Sequence, residues 1–217
     1  KSNAAFGELR CQVIFFILEG KFMEISSMTI SEIQQVQEIA TIGWHTTYEG
    51  LIALDVQNNY LKLAYNEEML FKRCTTTPFY VAKIDNKTVG FANFSNRREN
   101  GDVELAAIYL HPNYQNQGIG SALLNYGIKQ IQPSRVWINV EAENEVGKRF
   151  YLAKGFEFIE EFDDLFEGYL LKTIRMALRI VQTSSHKIKI VQNTKAIIHV
   201  IHEAFKRYEQ DPVPSSA

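Results

Sequence analysis

The sequence predicts an α/β fold, an α+β sandwich in which helices flank a mixed central sheet. Three observations predict it. The hydrophobic period is helical before residue 79 and strand-like after it. The elements then follow the order β-α-α-β-β-β-α-β-α-β-β, which is not the strict alternation of a doubly wound sheet. Finally, 217 residues with 46% hydrophobic and 22% charged side chains suit one good-sized globular domain, or one with appendages.

The elements are read in order from Met23. Ile25–Met28 is a short strand. Thr29-Ile30-Ser31-Glu32 has the spacing of a capping box, a Thr oxygen for a backbone N–H and a Glu reaching back. Behind it Ile33, Val36, Ala40 and Trp44 give a helix one apolar face, and Gly50 ends that stretch. A second helical region covers residues 56–72, broken near Asn66. Phe79–Ile84 and Thr88–Ser95 are strands joined by a turn at Asp85-Asn86-Lys87. Asn100-Gly101 is a hairpin signal before the strand Val103–Leu110. Ile119, Leu123, Leu124, Ile128 and Ile131 fall at helical spacing until Pro133-Ser134. Arg135–Val140 is a strand. Asn144 caps a helix that stops at Gly155, and Phe156–Phe162 with Leu171–Leu178 closes the sheet as an antiparallel pair.

Residues 1–22 are expected to be a tag or non-native leader, with Met23 as the native start. Ser2-Asn3-Ala4 looks like a cloning remnant. The apolar run Val13–Leu18 falls well short of the ~20 residues that span a bilayer and lacks a signal cleavage site. Residues 23–179 form the main domain. In the tail, residues 180–217, Lys187–Val191 alternates like a strand, Asn193-Thr194 caps, and Ile197, Ile201 and Tyr208 line a helix. This repeats the plan of Glu24–Trp44, so the tail is expected to be the truncated start of a second domain of the same kind. The other reading is an extension docked on the main sheet.

Composition removes several function classes. Lys+Arg 23 against Asp+Glu 25 gives a net charge of -2, so no field steers the chain to nucleic acid. No membrane segment is expected. Cys11 and Cys74 lie far apart and outside any CxxC spacing, which argues against a disulfide scaffold or a metal site and for a reducing cytoplasm. The glycine spacing also lacks the third glycine and ribose carboxylate of a dinucleotide fingerprint.

The chemistry gathers where the apolar strand Val103–Leu110 runs through His111-Pro112-Asn113-Tyr114 into Gln115-Asn116-Gln117-Gly118-Ile119-Gly120-Ser121. A helix N-terminus leaves backbone N–H groups unpaired and carries partial positive charge, which makes it an anion site. Glycines there let a phosphate approach the backbone. Gly-x-Gly alone also fits a plain tight turn.

Gln115-x-x-Gly118-x-Gly120 resembles the Q/R-x-x-G-x-G/A signature of the GCN5-related N-acetyltransferase (GNAT) superfamily. Downstream, Asn144 to Phe156 resembles the second signature, N-x-x-A-x-x-F-Y-x-x-x-G-F, with Gly147 where Ala is usual. The resemblance covers about residues 24–179. It implies a mostly antiparallel sheet and transfer of an acetyl group from acetyl-CoA, with no metal, to a primary amine such as a polyamine, a small-molecule amine or a peptide N-terminus. Acetyl-CoA would lie where the strand ending at Leu110 parts from Arg135–Val140. Backbone groups of Ile108, Tyr109 and Leu110 would pair with the pantetheine arm. Amides from Asn116 through Gln117, Gly118, Ile119 and Gly120 to Ser121, behind Gln115, would bind the pyrophosphate. Glu104 matches the general base, although a carboxylate at a strand start can also be a surface residue. Tyr151 matches the general acid for the CoA thiolate. Asn144 matches a CoA contact and can cap its helix at the same time. Lys148 fits a pyrophosphate contact or a solvated lysine equally. The cluster Trp44, His45, Tyr48 and Glu49 is expected to receive the acceptor, loosely similar to bacillar polyamine acetyltransferases. The acidic run from Glu157 to Asp164 either draws a polyamine or is a solvated hairpin. A non-catalytic acyl-CoA-binding domain of a tandem protein is the second functional reading. The acceptor and the oligomeric state, a homodimer among the options, stay open.

Overall fold

The computed structural model describes residues 14–18 and 21–181. In chain order the elements are β1 (Ile14–Leu18), β2 (Lys21–Ser27), α1 (Ile33–Tyr48), α2 (Leu54–Ala64) and α3 (Glu67–Thr76). Then follow β3 (Phe79–Ile84), β4 (Lys87–Phe94), β5 (Asp102–Leu110), α4 (Ile119–Ile131), β6 (Arg135–Glu141), α5 (Glu145–Ala153), β7 (Glu157–Phe166) and β8 (Tyr169–Arg179). The described strands form one eight-stranded sheet in the order β1-β2-β3-β4-β5-β6-β8-β7. Every pairing is antiparallel except β5 with β6.

Local signals account for most boundaries. Thr29 and Glu32 form the expected capping box at the 3-10 turn Ile30–Glu32, which leads into α1. Glu32 is also buried, and Lys83 reaches it at 2.8 Å. Burial pushes its carboxyl up, but the bonds from Lys83 and Thr29 outweigh burial and hold it below the ordinary carboxylate value. Asn66 ends the second helical region as the N-cap of α3, its side chain accepting from the Met69 N–H at 2.8 Å. Asp85 and Asn86 both take positive φ, which suits the two-residue turn between β3 and β4. Asn100-Gly101 behaves differently from the expected tight hairpin. It closes a longer loop, residues 95–101, because Gly101 is drawn to the start of β6: its carbonyl accepts the Ser134 N–H at 2.8 Å.

β2 is longer than the strand expected at Ile25–Met28, and Ile14–Leu18 pairs with it antiparallel. Residues 1–13 and 19–20, and the tail from residue 182 on, with its expected strand, cap and helix, lie outside the described residues.

The sheet is covered on both faces. On one, Leu123, Leu124 and Tyr126 of α4 pack against Val103, Leu105, Val136, Ile138 and Met176. On the other, Val36, Ile39, Ala40 and Trp44 of α1 pack against Val81, Phe91 and Ala107. Leu105 and Ala107 are two residues apart yet lie on opposite faces. A β-bulge opposite Asn93/Phe94 inserts Ala106 and switches the alternation of β5. As a result Glu104, which precedes the bulge, and Tyr109, which follows it, share the α1 face. Five residues of regular strand would have set them on opposite faces.

Candidate active site

β5 and β6 are joined only at their starts. Asp102, Val103 and Glu104 pair with Arg135, Val136 and Trp137, and beyond Glu104 the two strands part. On its other edge β5 stays bonded to β4 as far as Leu110. The His111 N–H donates to the Val89 carbonyl at 2.9 Å. In an antiparallel ladder alternate residues bond the same neighbour, so Tyr109 turns its backbone groups to Phe91. Those of Ile108 and Leu110 face the gap. Of the three residues expected to meet the pantetheine arm, Ile108 and Leu110 therefore offer backbone groups, while Tyr109 bonds β4 and packs its ring on the α1 side beside Gly43 and Phe91.

Above the gap, the turn from β5 to α4 is built to leave amides free. Asn116 and Gly118 take φ of 61° and 80°, which turns the chain sharply before Ile119. The first α4-type bond is from the Ala122 N–H to the Gly118 carbonyl at 3.0 Å. The N–H groups of Asn116, Gln117, Gly118, Ile119, Gly120 and Ser121 make no hydrogen bond to described residues. A Cβ on Gly118 would meet nothing within 4 Å, whereas one on Gly120 would come within 3.3 Å of the Phe150 ring. Gly118 thus gives the turn its left-handed backbone, and Gly120 lets α4 approach α5. The Gln115 amide reaches the Leu110 carbonyl at 3.5 Å, and the Gln117 amide bonds the Asn113 carbonyl at 3.1 Å.

Asn144 caps α5, accepting from the Gly147 N–H at 2.8 Å. A Cβ at Gly147 would lie 2.9 Å from the Asn144 amide nitrogen, so the glycine packs closely on the capping side chain. Lys148 is occupied: its ammonium contacts the Ala142 carbonyl and pairs with Glu145 at 2.6 Å. Tyr151 projects from α5 into the core between Phe150 and Phe156, each ring 5.3 Å away. Burial, and next the Tyr48 phenol, raise its pKa well above the ordinary tyrosine value. It therefore holds its proton at neutral pH.

Glu104 stands at the last paired position of β5, on the α1 face. Its side chain is 39% exposed and lies 3.9 Å from the Arg98 guanidinium. It lines a cavity of about 280 Å³ with Arg98, Asp102, Trp137, Asn139 and Arg175. Asp102 is buried and fixes the wall by accepting from the Trp137 indole at 2.9 Å.

The four residues expected at the acceptor end divide into two pairs. Trp44 and Tyr48 face inward, with ring centroids 4.4 Å apart, and Trp44 also meets Tyr60 at 4.3 Å. Burial, and next the Glu141 carboxylate, push the Tyr48 phenol up to about 12. His45 and Glu49 lie on another side of α1 and line a separate cavity of about 630 Å³ with Gln57 and Tyr169. The His45 ring bonds Asn58 at 2.9 Å. The acidic run is strand rather than loop. Within it Glu160 pairs with Arg175 and Asp163 with Lys172, both at 2.5 Å.

Three inward residues at this end escape the sequence motifs. Tyr60 and Tyr65 come from α2 and its end and join Tyr48, Tyr109 and Tyr151 in one mutually interacting group of phenols. Tyr109 is raised well above the usual value, first by burial and then by these neighbours. The third is Glu141, the last residue of β6 and 8% exposed. The available signal is a carboxylate that closes a strand already carrying Arg135 and Asn139.

A parted pair of parallel strands beneath a turn of free amides suits an extended ligand that ends in a phosphate. Comparison with known proteins specifies the class. Residues 33–158, more than half of the chain, match the model of the acetyltransferase (GNAT) family, and the chain belongs to that family. It is an acetyl-CoA-dependent acetyltransferase. It is 25% identical over 150 residues to a spermidine N(1)-acetyltransferase of Thermoplasma acidophilum, covering 65% of this chain and 91% of the relative. With the uncharacterised N-acetyltransferase YuaI of Bacillus subtilis it shares 35% identity over 103 residues, 45% of this chain and 58% of that one. Among solved structures, the PaiA N-acetyltransferase of Thermoplasma acidophilum in complex with coenzyme A superposes with a TM-score of 0.62. That match has 23% identity and covers 73% of this chain and 99% of the other. The Escherichia coli ribosomal-protein-S18-alanine N-acetyltransferase superposes with a TM-score of 0.55 at 19% identity, covering 76% and 97%. At these identities the two structures speak for the fold. No described helix is long and apolar enough to cross a membrane.

Proposed function

We propose that the chain acetylates a primary amine, with a polyamine as the acceptor, and that Glu104 and Tyr151 carry the proton transfers. The observation that carries this reading is the gap itself: the edge of β5 at Ile108 and Leu110, which no strand pairs, leads up to the free amides of Asn116–Ser121. An acetyl-CoA pantetheine arm pairs with that edge as a strand would, and its pyrophosphate accepts from the amides. The thioester then sits near Ile108, whose N–H faces the gap and can donate to the carbonyl oxygen.

The acceptor enters as an ammonium and must lose a proton before it can attack. Glu104 accepts that proton through a bridging water. The amine nitrogen then bonds to the thioester carbon, and the carbon–sulfur bond breaks. Tyr151 gives its proton to the departing thiolate, the new amide nitrogen sheds its second proton to solvent, and protons exchanged with solvent restore Glu104 and Tyr151. A phenol held above its usual pKa by burial suits an acid that must stay protonated until the sulfur leaves. Support for a polyamine comes from the Thermoplasma relative named for spermidine, which this chain matches along 91% of its length.

The test is release of CoA from acetyl-CoA with spermidine, amino sugars, amino acids and N-terminal peptides as acceptors. Turnover with spermidine is expected, lowered on the order of 10²-fold in Glu104→Gln through loss of the base. Turnover confined to peptides or amino acids would overturn the polyamine assignment. Binding of acetyl-CoA with no turnover on any amine would instead favour the acyl-CoA-binding reading.

A further inference from the structure

We infer that Glu141 is the acceptor-binding carboxylate, holding the substrate's ammonium group across the gap from the acetyl site. The inference rests on the acetyl-transfer reading above and adds a residue that the motifs do not contain.

Its placement follows from register. β5 and β6 start in parallel register, with Asp102 opposite Arg135 and Glu104 opposite Trp137. Carried on through the gap, with one residue allowed for the bulge, that register sets Glu141 at the level of Ile108 and Tyr109. Val136, Ile138 and Val140 point into the core beneath α4. The alternate residues Trp137, Asn139 and Glu141 therefore face the α1 side, as Glu104 and Tyr109 do. Glu141 thus closes the side of the gap that faces Tyr48 of α1, and its carboxylate acts on the Tyr48 phenol.

Its electrostatics are unfinished in the protein alone. Glu141 is 8% exposed, and its strand partner on β8, Thr173, is 7% exposed. One carboxylate oxygen accepts the Glu143 N–H at 2.9 Å. Glu141 forms no ion pair among the described residues. The nearby Lys148 ammonium is directed to the Ala142 carbonyl and Glu145 instead. The other groups acting on Tyr48 are Tyr60, Tyr65 and Asp164, none of them cationic, while Arg73 meets this cluster at Tyr60 and Tyr65, where it lies 4.6 Å over the Tyr65 ring. A buried carboxylate with no cationic partner is costly, and buried charges in proteins are paired as a rule. The missing partner has to be a cation that arrives in the gap. An amine acceptor is a cation, and the gap is where it must meet the thioester.

Glu141→Gln isolates the charge, because the glutamine oxygen can still accept from the Glu143 N–H. The measurement is spermidine affinity by calorimetry on the CoA-saturated protein, in wild type and variant. The variant is expected to bind spermidine about 10- to 100-fold more weakly, the range for loss of one charge-assisted contact. CoA affinity should stay unchanged, and the melting temperature should hold or rise, since an unpaired buried charge is removed. In turnover, the KM for spermidine should rise by the same factor, while the KM for a weakly basic aromatic amine, neutral at the assay pH, should not move. Equal spermidine affinity in the two proteins overturns the inference, as does an equal loss for the charged and neutral amines. Failure of the acetyl-transfer reading looks different: wild type would release no CoA with spermidine, whatever the binding comparison gives.

Discussion

Replacing Tyr151 with phenylalanine is expected to lower kcat about 10²- to 10⁴-fold, the usual contribution of a positioned proton donor. The change removes one oxygen from a ring already packed between Phe150 and Phe156. Phenylalanine fills the same space, so the core and the cap of α5 at Asn144 should persist. Acetyl-CoA affinity should hold as well, because the amides of the α4 turn and the edge of β5 are untouched. The signature is therefore a fall in kcat with unchanged acetyl-CoA binding and an unchanged melting temperature. Steady-state kinetics beside a thermal melt checks both. A kcat within a few-fold of wild type would remove Tyr151 from the proton path and leave it as packing.

The second large effect concerns stability. Phe94 is 1% exposed and closes β4 at the bulge. Its ring lies under α4, where a Cβ on Gly127 would come within 2.3 Å of it, and near Tyr80 at 6.1 Å between centroids. Phe94→Ala opens a cavity between the sheet and the helix that presents the free amides. A cost of about 3–5 kcal/mol is expected, from lost burial plus the unfilled space. In a domain of this size that is a melting-point drop on the order of 10 °C. Chemical denaturation with an unchanged slope would attribute the loss to packing alone. A loss below about 1 kcal/mol would mean that α4 settles into the space, contrary to the tight contact at Gly127.

Much of this architecture is legible in the sequence because it is locally encoded. The capping box at Thr29 and Glu32, the Asn66 break, the Asp85-Asn86 turn and the Asn144 cap each depend on residues within a few positions. The amide turn at Gln115–Ser121 is legible for the same reason. Relations between distant segments are not. Nothing near Ala106 announces the bulge that turns Glu104 and Tyr109 to one face, since it arises from pairing with Asn93 and Phe94. The clustering of Tyr48, Tyr60, Tyr65, Tyr109 and Tyr151 needs α1, α2, β5 and α5 in place together. Trp44, His45, Tyr48 and Glu49 read as one cluster because they are close in sequence. A helix turns successive residues about 100°, so Trp44 and Tyr48 share one face while His45 and Glu49 fall on another. Glu141 is inconspicuous in sequence for a similar reason: its strand partner on β8, Thr173, is distant in the chain.

The proposed acetyl-CoA site centres on the free amides of Asn116–Ser121 as the seat of the pyrophosphate. Calorimetric titration of the purified protein with acetyl-CoA and with acetyl-pantetheine tests this. The second compound keeps the arm and the thioester but carries neither the pyrophosphate nor the adenosine 3′-phosphate beyond it. Affinity at least about 100-fold lower for acetyl-pantetheine is expected, since several charge-assisted bonds to the amides are lost at once. Equal affinity for the two compounds would contradict the account and place recognition entirely in the gap between β5 and β6.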